Sequence, residues 1–436
     1  MTPGFEAHWP ERNGQAPAPS TAAVDGNDRS IVGFVMAGHA TVHTYELSIP
    51  ILMTVWLVKF PVTTAELGLA VAVGYGLFGV GALPGGLLVD RYGSRALVSA
   101  CLAGMALSFL LLGLAPGAVG IAAALGLWGA AASVYHPAGL TLISNGVEAR
   151  GRGFAYHGMA GNAGIAGGPL VTALLLLAFD WRAVTAVLAV LALFFAVVGF
   201  RTEFDPTAAV DLAGGEDRST PDSVAGFVGE TRRLFTVGFL LVFAVVSLNG
   251  LYYRGVLTFL PELLGEFLAV GDPALFLDPD SPVTEEFDLA RYLYAGLLTV
   301  GIGGQYLGGR LTDAVEPDRG LVGMLAALTV VALTFVPAAA AGVAGLLAVS
   351  VALGVVLFGI QPLSQATIAK YSRPEARGLS FGYTYLAIFG VGALGAAIAG
   401  AVLAYAPPLT MFAVLASFSA AAGLLAALLS SGRLAD

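Results

Sequence analysis

Gly86-Leu87-Leu88-Val89-Asp90-Arg91-Tyr92-Gly93-Ser94-Arg95 lies in the narrow gap between two long apolar runs. Carboxylates and guanidiniums are expensive inside hydrocarbon, so Asp90, Arg91 and Arg95 must stand at a membrane surface, where one helix ends and the next begins. Gly86 lets a neighbouring helix come close, and Gly93 permits a tight turn. Composition agrees. Of 436 residues 57% are hydrophobic and 11% charged, where a soluble globular chain carries about 25% charged residues. The chain reads as an all-α integral membrane protein. Barrel strands would instead alternate in polarity over roughly ten residues.

Apolar runs of about 20 residues, the length of a helix that crosses the hydrocarbon, place helices at 31–58, 66–89, 95–114, 117–143, 152–178 and 182–200. A second set follows at 234–262, 288–313, 319–337, 340–367, 379–404 and 407–430. The expected organisation is a disordered cytoplasmic tail (1–30), a six-helix bundle (31–200), a polar linker (201–233) rich in Asp, Glu, Gly and Pro, a second bundle (234–430) and a short cytoplasmic tail (431–436). Residues 1–30 lack the apolar core of a cleaved leader. Cys101, the single cysteine, can form no internal disulfide, and a net charge of −9 argues against a nucleic-acid partner. The balance of 18 Arg and 2 Lys against 29 acids suits loops bathed in high salt, as in a halophile, and follows equally from GC-rich codons.

Basic residues fix an orientation. With the N-terminus in the cytoplasm, only Lys59, Arg182 and Arg291 fall outside and Arg254 falls within a helix; all others lie inside. Both termini are then cytoplasmic, and the expected location is the plasma membrane.

The two sets of helices repeat. Gly86-Leu87-Leu88-Val89-Asp90 returns as Gly309-Arg310-Leu311-Thr312-Asp313, and Glu148-Ala149-Arg150-Gly151 as Glu375-Ala376-Arg377-Gly378. Phe154 and Tyr156 match Phe381 and Tyr383, His136-Pro137 matches Gln361-Pro362, and Pro50 matches Pro261, all in order. Six helices per copy give both copies the same orientation, a parallel repeat about an axis along the membrane normal. The loop pattern G-x-L-x-D-R-x-G-x-R resembles that between helices 2 and 3 of the major facilitator superfamily of transporters. The resemblance implies twelve transmembrane helices in two rocking six-helix bundles. It assigns Gly86, Asp90, Arg91, Gly93 and Arg95, with Gly309 and Asp313 of the second copy, to a gate that latches the halves on the cytoplasmic side. Asp313 lacks the Arg and Gly that follow Asp90, so the second latch is the weaker. The other reading is that these charges fix topology alone.

Helix 1 carries His39, His43 and Glu46 at i, i+4 and i+7, one face over about 10 Å. Ionisable groups at mid-membrane face protein or water, and carboxylate–histidine chains carry protons. Otherwise the three simply hydrogen-bond one another or a neighbouring helix. Pro50 frees a backbone carbonyl one turn later. Helix 7, the repeat partner, holds Ser247, Asn249, Tyr252, Tyr253 and Arg254. A membrane Arg needs an anion: Glu46, a substrate carboxylate or phosphate, or the outer interface reached by snorkelling. His136 and Gln361 stand beside Pro137 and Pro362, where proline is expected to kink helices 4 and 10.

Tyr135-His136-Pro137 and Gly161-Asn162-Ala163-Gly164 are similar to fosmidomycin-resistance-type efflux proteins. Gly164-x-x-x-Gly168-Pro169 is similar to the helix-5 antiporter motif of drug exporters, without its following Gly-Gly pair. Close helix packing is the other use of these small residues. His157 is expected at the interface. Tyr383 and Tyr385 either meet a substrate or anchor the helix end.

There is no G-x-x-x-x-G-K-[ST] and no cysteine or histidine run with zinc spacing, so neither nucleotide, cofactor nor metal is expected, and the chain is not read as an enzyme. The sequence points to a secondary transporter of a small organic solute, coupled to protons through Glu46 with His39 and His43, working as a monomer and favouring efflux. The alternatives are uptake of a small anionic metabolite, with Arg254 and the histidines as counter-charges, and a non-transporting sensor on the same scaffold.

Overall fold

The computed structural model describes residues 21–209, 224–270, 288–372 and 377–431. Its long helices are α1 (Thr21–Lys59), α2 (Thr64–Tyr92), α3 (Ser94–Gly113), α4 (Ala118–Gly146), α5 (Arg150–Leu176) and α6 (Trp181–Arg201). The second set is α7 (Val237–Val270), α8 (Leu289–Ala314), α9 (Pro317–Ala340), α10 (Val343–Lys370), α11 (Arg377–Tyr385, Leu386–Val391 and Gly392–Tyr405) and α12 (Pro408–Ser430). Among the described residues ten helices are long and apolar enough to cross a membrane by themselves. The other two, α1 with 39 residues and α8 with 26, have the length but fall short in hydropathy. They carry His39, His43 and Glu46, and Arg291, Gln305 and Arg310. The result is a twelve-helix integral membrane protein.

The surface is inverted relative to a soluble protein. Val190, Phe194 and Phe200 of α6 are more than half exposed, while Glu46 and Arg254 are each 1% exposed. Apolar side chains thus face lipid, and the charges are held inside where partners satisfy them.

Several boundaries differ from the sequence reading. Helix α1 starts at Thr21, inside the tail expected over 1–30, because polar contacts hold its first turns. The backbone N–H groups of Glu148 and Ala149 donate to Asp28 at 3.1 and 3.2 Å, and Asn27 Nδ2 donates to the Gly146 carbonyl at 2.9 Å. Within the linker, Val224–Leu234 is helical, and its Thr231 hydroxyl meets the Tyr383 hydroxyl at 3.0 Å. The tail residues 1–20 and 432–436, and the linker residues 210–223, lie outside the described residues. Of the two proline sites expected to kink, α4 does break, between Ala132 and Tyr135, at the turn whose bond Pro137 cannot make. Helix α10 continues through Pro362. Helix α11 contains a π turn, Leu386–Val391, that no sequence signal announces.

The repeat is visible in packing. In the first set α1 packs on α5, α2 on α4 and α3 on α6; in the second, α7 on α11, α8 on α10 and α9 on α12. Glycine makes the closest approaches. A Cβ on Gly168 would lie 2.6 Å from Thr44 Cα, and one on Gly164 would overlap the Ala40 carbonyl. The halves meet along α2–α11 and α5–α8, again a symmetric pair, and along α1–α7. Twelve spans put both chain ends on one face. Among the described residues, the hydrogen bonds between the halves lie at the centre or toward the opposite face: Arg254 to Glu46, Arg291 Nε to Thr54 Oγ1 at 3.3 Å, and Thr64 Oγ1 to the Gly400 carbonyl at 3.1 Å.

Candidate functional site

The site is built on α1. Its i, i+4, i+7 spacing does place His39, His43 and Glu46 on one face, and that face is buried. Glu46 Oε2 meets His43 Nδ1 at 2.5 Å, and Glu46 Oε1 accepts from Arg254 of α7. Arg254 therefore does not snorkel: its partner is the carboxylate opposite, and the pair bridges the two halves. The guanidinium carbon lies over the ring of Tyr75 of α2, 3.9 Å from the centroid, with Phe389 of the π turn at 5.0 Å and Tyr253 at 5.3 Å. Tyr75 donates to the Glu46 backbone carbonyl at 2.9 Å. Three aromatic faces thus stabilise the cation where water is scarce. Arg254 Nε has no partner among the described residues, so the group keeps donor capacity beyond Glu46.

From Glu46 the polar chain runs toward the face bearing the chain ends. His43 Nε2 and His39 Nε2 face each other at 3.0 Å, and His39 Nδ1 donates to the His157 carbonyl at 2.7 Å. A carbonyl only accepts, so His39 Nδ1 carries hydrogen and its Nε2 faces His43 as an acceptor. An N–H···N contact between the two Nε2 atoms then links His39 to the Glu46–His43 pair.

His136 and His157 complete the cluster. His157 of α5 is not interfacial, as its position near a helix end suggested: it is buried and stacks on His39 at 3.7 Å. The reason is that Gly161 and Gly164 draw α5 onto α1. His136, at the break in α4, packs edge-on to His39 at 5.2 Å and against Tyr385 of α11 at 4.7 Å. Tyr385 therefore sits in the centre, whereas Tyr383 meets the linker helix. Sequence reading missed Tyr75, Phe389 and the convergence of four histidines; only fold-level contact between α1, α2, α4, α5 and α11 reveals them.

The remaining candidates lie further out. Gln361 accepts from Gln305 Nε2 of α8 at 2.6 Å, a satisfied contact within the second half. The Asn249 Oδ1 and Ser247 Oγ atoms are buried without a partner among the described residues. In the loop motif Gly93 adopts φ +77°, which favours glycine, and its N–H bonds the Val89 carbonyl. Arg95 donates to the carbonyls of Gly199 and Phe200 at the end of α6, a tie within the first half. Arg91 lies over Tyr92. Gly309 has open space where a Cβ would stand. Gly86 lies within α2; its surroundings and the side chains of Asp90 and Asp313 lie outside what the structure describes.

A buried, charge-paired centre between two repeated six-helix halves is the architecture of a membrane transporter. The Major Facilitator Superfamily matches over residues 22–277, more than half of the chain, and the chain belongs to that family. Its members are transporters of small molecules rather than enzymes. A comparison with curated protein sequences finds no match. Two similar solved structures are of a bacterial homologue of the human lysosomal transporter Spinster. The inward-facing, occupied form has 14% identity and TM-score 0.67 over 97% of this chain and 99% of that one. Its inward-facing, unoccupied form has 15% identity and TM-score 0.64 over 94% and 96%. A mutant of the nucleoside transporter NupG has 14% identity and TM-score 0.72 over 92% and 99%. Likeness at that identity is likeness of fold.

Proposed function

We infer that the chain is a proton-coupled secondary transporter that moves a small organic solute across the plasma membrane by alternating access. The observation that carries this reading is the buried chain Arg254–Glu46–His43–His39, in which two facing imidazoles are joined, through one carboxylate, to the ion pair between the halves. Protonation of Glu46 would release Arg254 and loosen the contact between α1 and α7. His39 and His43 supply a path of about 10 Å toward the cytoplasmic face, where both termini lie. The bundles 31–200 and 234–430 are the moving units, each chain is a complete carrier as a monomer, and the Gly86–Arg95 and Gly309–Asp313 segments gate the cytoplasmic side. Among the described residues the hydrogen bonds away from the centre tie the halves toward the face opposite the chain ends.

Resemblance of α4 and α5 to fosmidomycin-resistance-type exporters favours efflux. The partnerless Nε of Arg254 favours a second reading, uptake of a small anionic metabolite whose carboxylate or phosphate takes the donors that Glu46 leaves. The test is current recorded from proteoliposomes on a solid-supported membrane, challenged with a panel of organic anions and cationic drugs under a pH gradient. Glu46→Gln is expected to lose proton-driven current while still being stabilised thermally by the active solute. Wild-type current in that variant would remove Glu46 from the coupling.

A further inference from the structure

His39, His43 and His136 each offer a ring nitrogen, and the three atoms lie within 4.8 Å of one another, all in buried residues. Two of them are already prepared. In a protein metal site, each ligating imidazole usually gives its other N–H to a carboxylate or a backbone carbonyl, which fixes the ring and makes it more basic. His43 has Glu46 Oε2 on its Nδ1, and His39 has the His157 carbonyl on its Nδ1. Both Nε2 atoms consequently point into the same space, 3.0 Å apart. The His157 ring, stacked on His39 with planes 14° apart, holds that orientation. His136 is 5% exposed, and its ring packs against both His39 and His43, at 5.2 and 5.7 Å between centroids, with a ring nitrogen within 4.8 Å of theirs.

We propose that His39, His43 and His136 form a binding site for one divalent transition-metal ion of the zinc, cobalt or nickel type. Imidazole is the ligand these ions favour, and three protein nitrogens leave a fourth position for water or solute. Bonds of about 2.0–2.1 Å in a tetrahedron separate ligand nitrogens by about 3.3 Å. The His39–His43 pair needs to open by only a few tenths of an ångström, and His136 closes the set by swinging inward from the break in α4. Spacing alone hides such a site, because its third ligand belongs to another helix. Arg254 does not bar the ion: it lies on Oε1 of Glu46, and the carboxylate stands between it and His43. The site stands on this geometry and not on the transport reading, so the two can fail separately.

The test uses the full-length protein, purified in detergent on a tag without histidines, and titrated with Co2+ alone. One equivalent is expected to give the intense visible band of four-coordinate cobalt, and Zn2+ to displace it. His43→Ala is expected to abolish the band, and His136→Ala to weaken binding by more than about tenfold. His136→Asn, close in size, serves if the alanine variant does not remain monodisperse. His8→Ala, at the one histidine outside the described residues, is expected to leave the band intact. A weak octahedral spectrum, an unchanged cobalt affinity in the His136 variant, or a band lost in the His8 variant would each overturn the site.

Discussion

Arg254→Ala is expected to abolish transport and to lower the stability of the purified protein by about 3–5 kcal/mol, the usual result of removing one member of a buried ion pair. The loss comes less from the missing attraction than from what remains. Glu46, 1% exposed, would keep only His43 to balance its charge, inside a core that water scarcely enters. The aromatic faces of Tyr75, Tyr253 and Phe389 would also lose the cation they surround. Removing both charges is expected to be milder than removing one. Glu46→Gln combined with Arg254→Gln should recover much of the stability and none of the transport. Thermal unfolding followed by size exclusion reads the first effect, and flux into proteoliposomes the second. A single variant as stable as the wild type would mean that Glu46 finds another partner.

Gly164→Leu is expected to have a comparable effect by another route. At this glycine the α5 backbone meets the Ala40 carbonyl of α1, and even a methyl group would overlap it. Neighbouring Gly161 and Gly168 stand against His39 and Thr44 in the same seam. A larger side chain must push α1 away from α5, and that displaces His39 from the His157 carbonyl that orients it. Gly164→Ala should cost about 1–3 kcal/mol, as overpacking usually does. Gly158→Ala and Gly167→Ala are the internal controls, because nothing lies within 4 Å of a Cβ at either position. These controls should be neutral or gain up to about 1 kcal/mol from helix propensity. Equal losses from alanine at all three positions would show that the seam is not what sets the sensitivity.

Most of the fold was legible because membrane helices announce themselves twice, by apolar length and by charges confined to the gaps. The Asp90–Arg95 loop, the Pro50–Pro261 and His136–Gln361 correspondences and the parallel repeat all come from local patterns, which survive without contact information. The α1 triplet was legible for the same reason, since helical period alone puts His39, His43 and Glu46 on one face. What each of them touches was not. Whether Arg254 pairs with Glu46 or snorkels depends on where α7 lies against α1, and nothing within either helix says so. His157 looked interfacial by its position in sequence and is central because glycines draw α5 inward. The π turn that delivers Phe389 to Arg254 rests on tertiary packing against Gly79 of α2, which a one-dimensional period cannot express.

Whether a proton at Glu46 moves the two halves is measured most directly by a distance between them. Tyr92, at the end of α2, is 54% exposed and Val315, just after α8, is 41% exposed, both on the face bearing the chain ends and one in each half. With the buried Cys101 replaced by Ser, Tyr92→Cys and Val315→Cys provide two positions for spin labels. Lowering the pH should shift the distance distribution between the labels in the otherwise native protein, and Glu46→Gln should hold a single distribution at every pH. A native protein whose distances ignore pH, or a Glu46→Gln variant that responds as the native protein does, would contradict the proposed coupling.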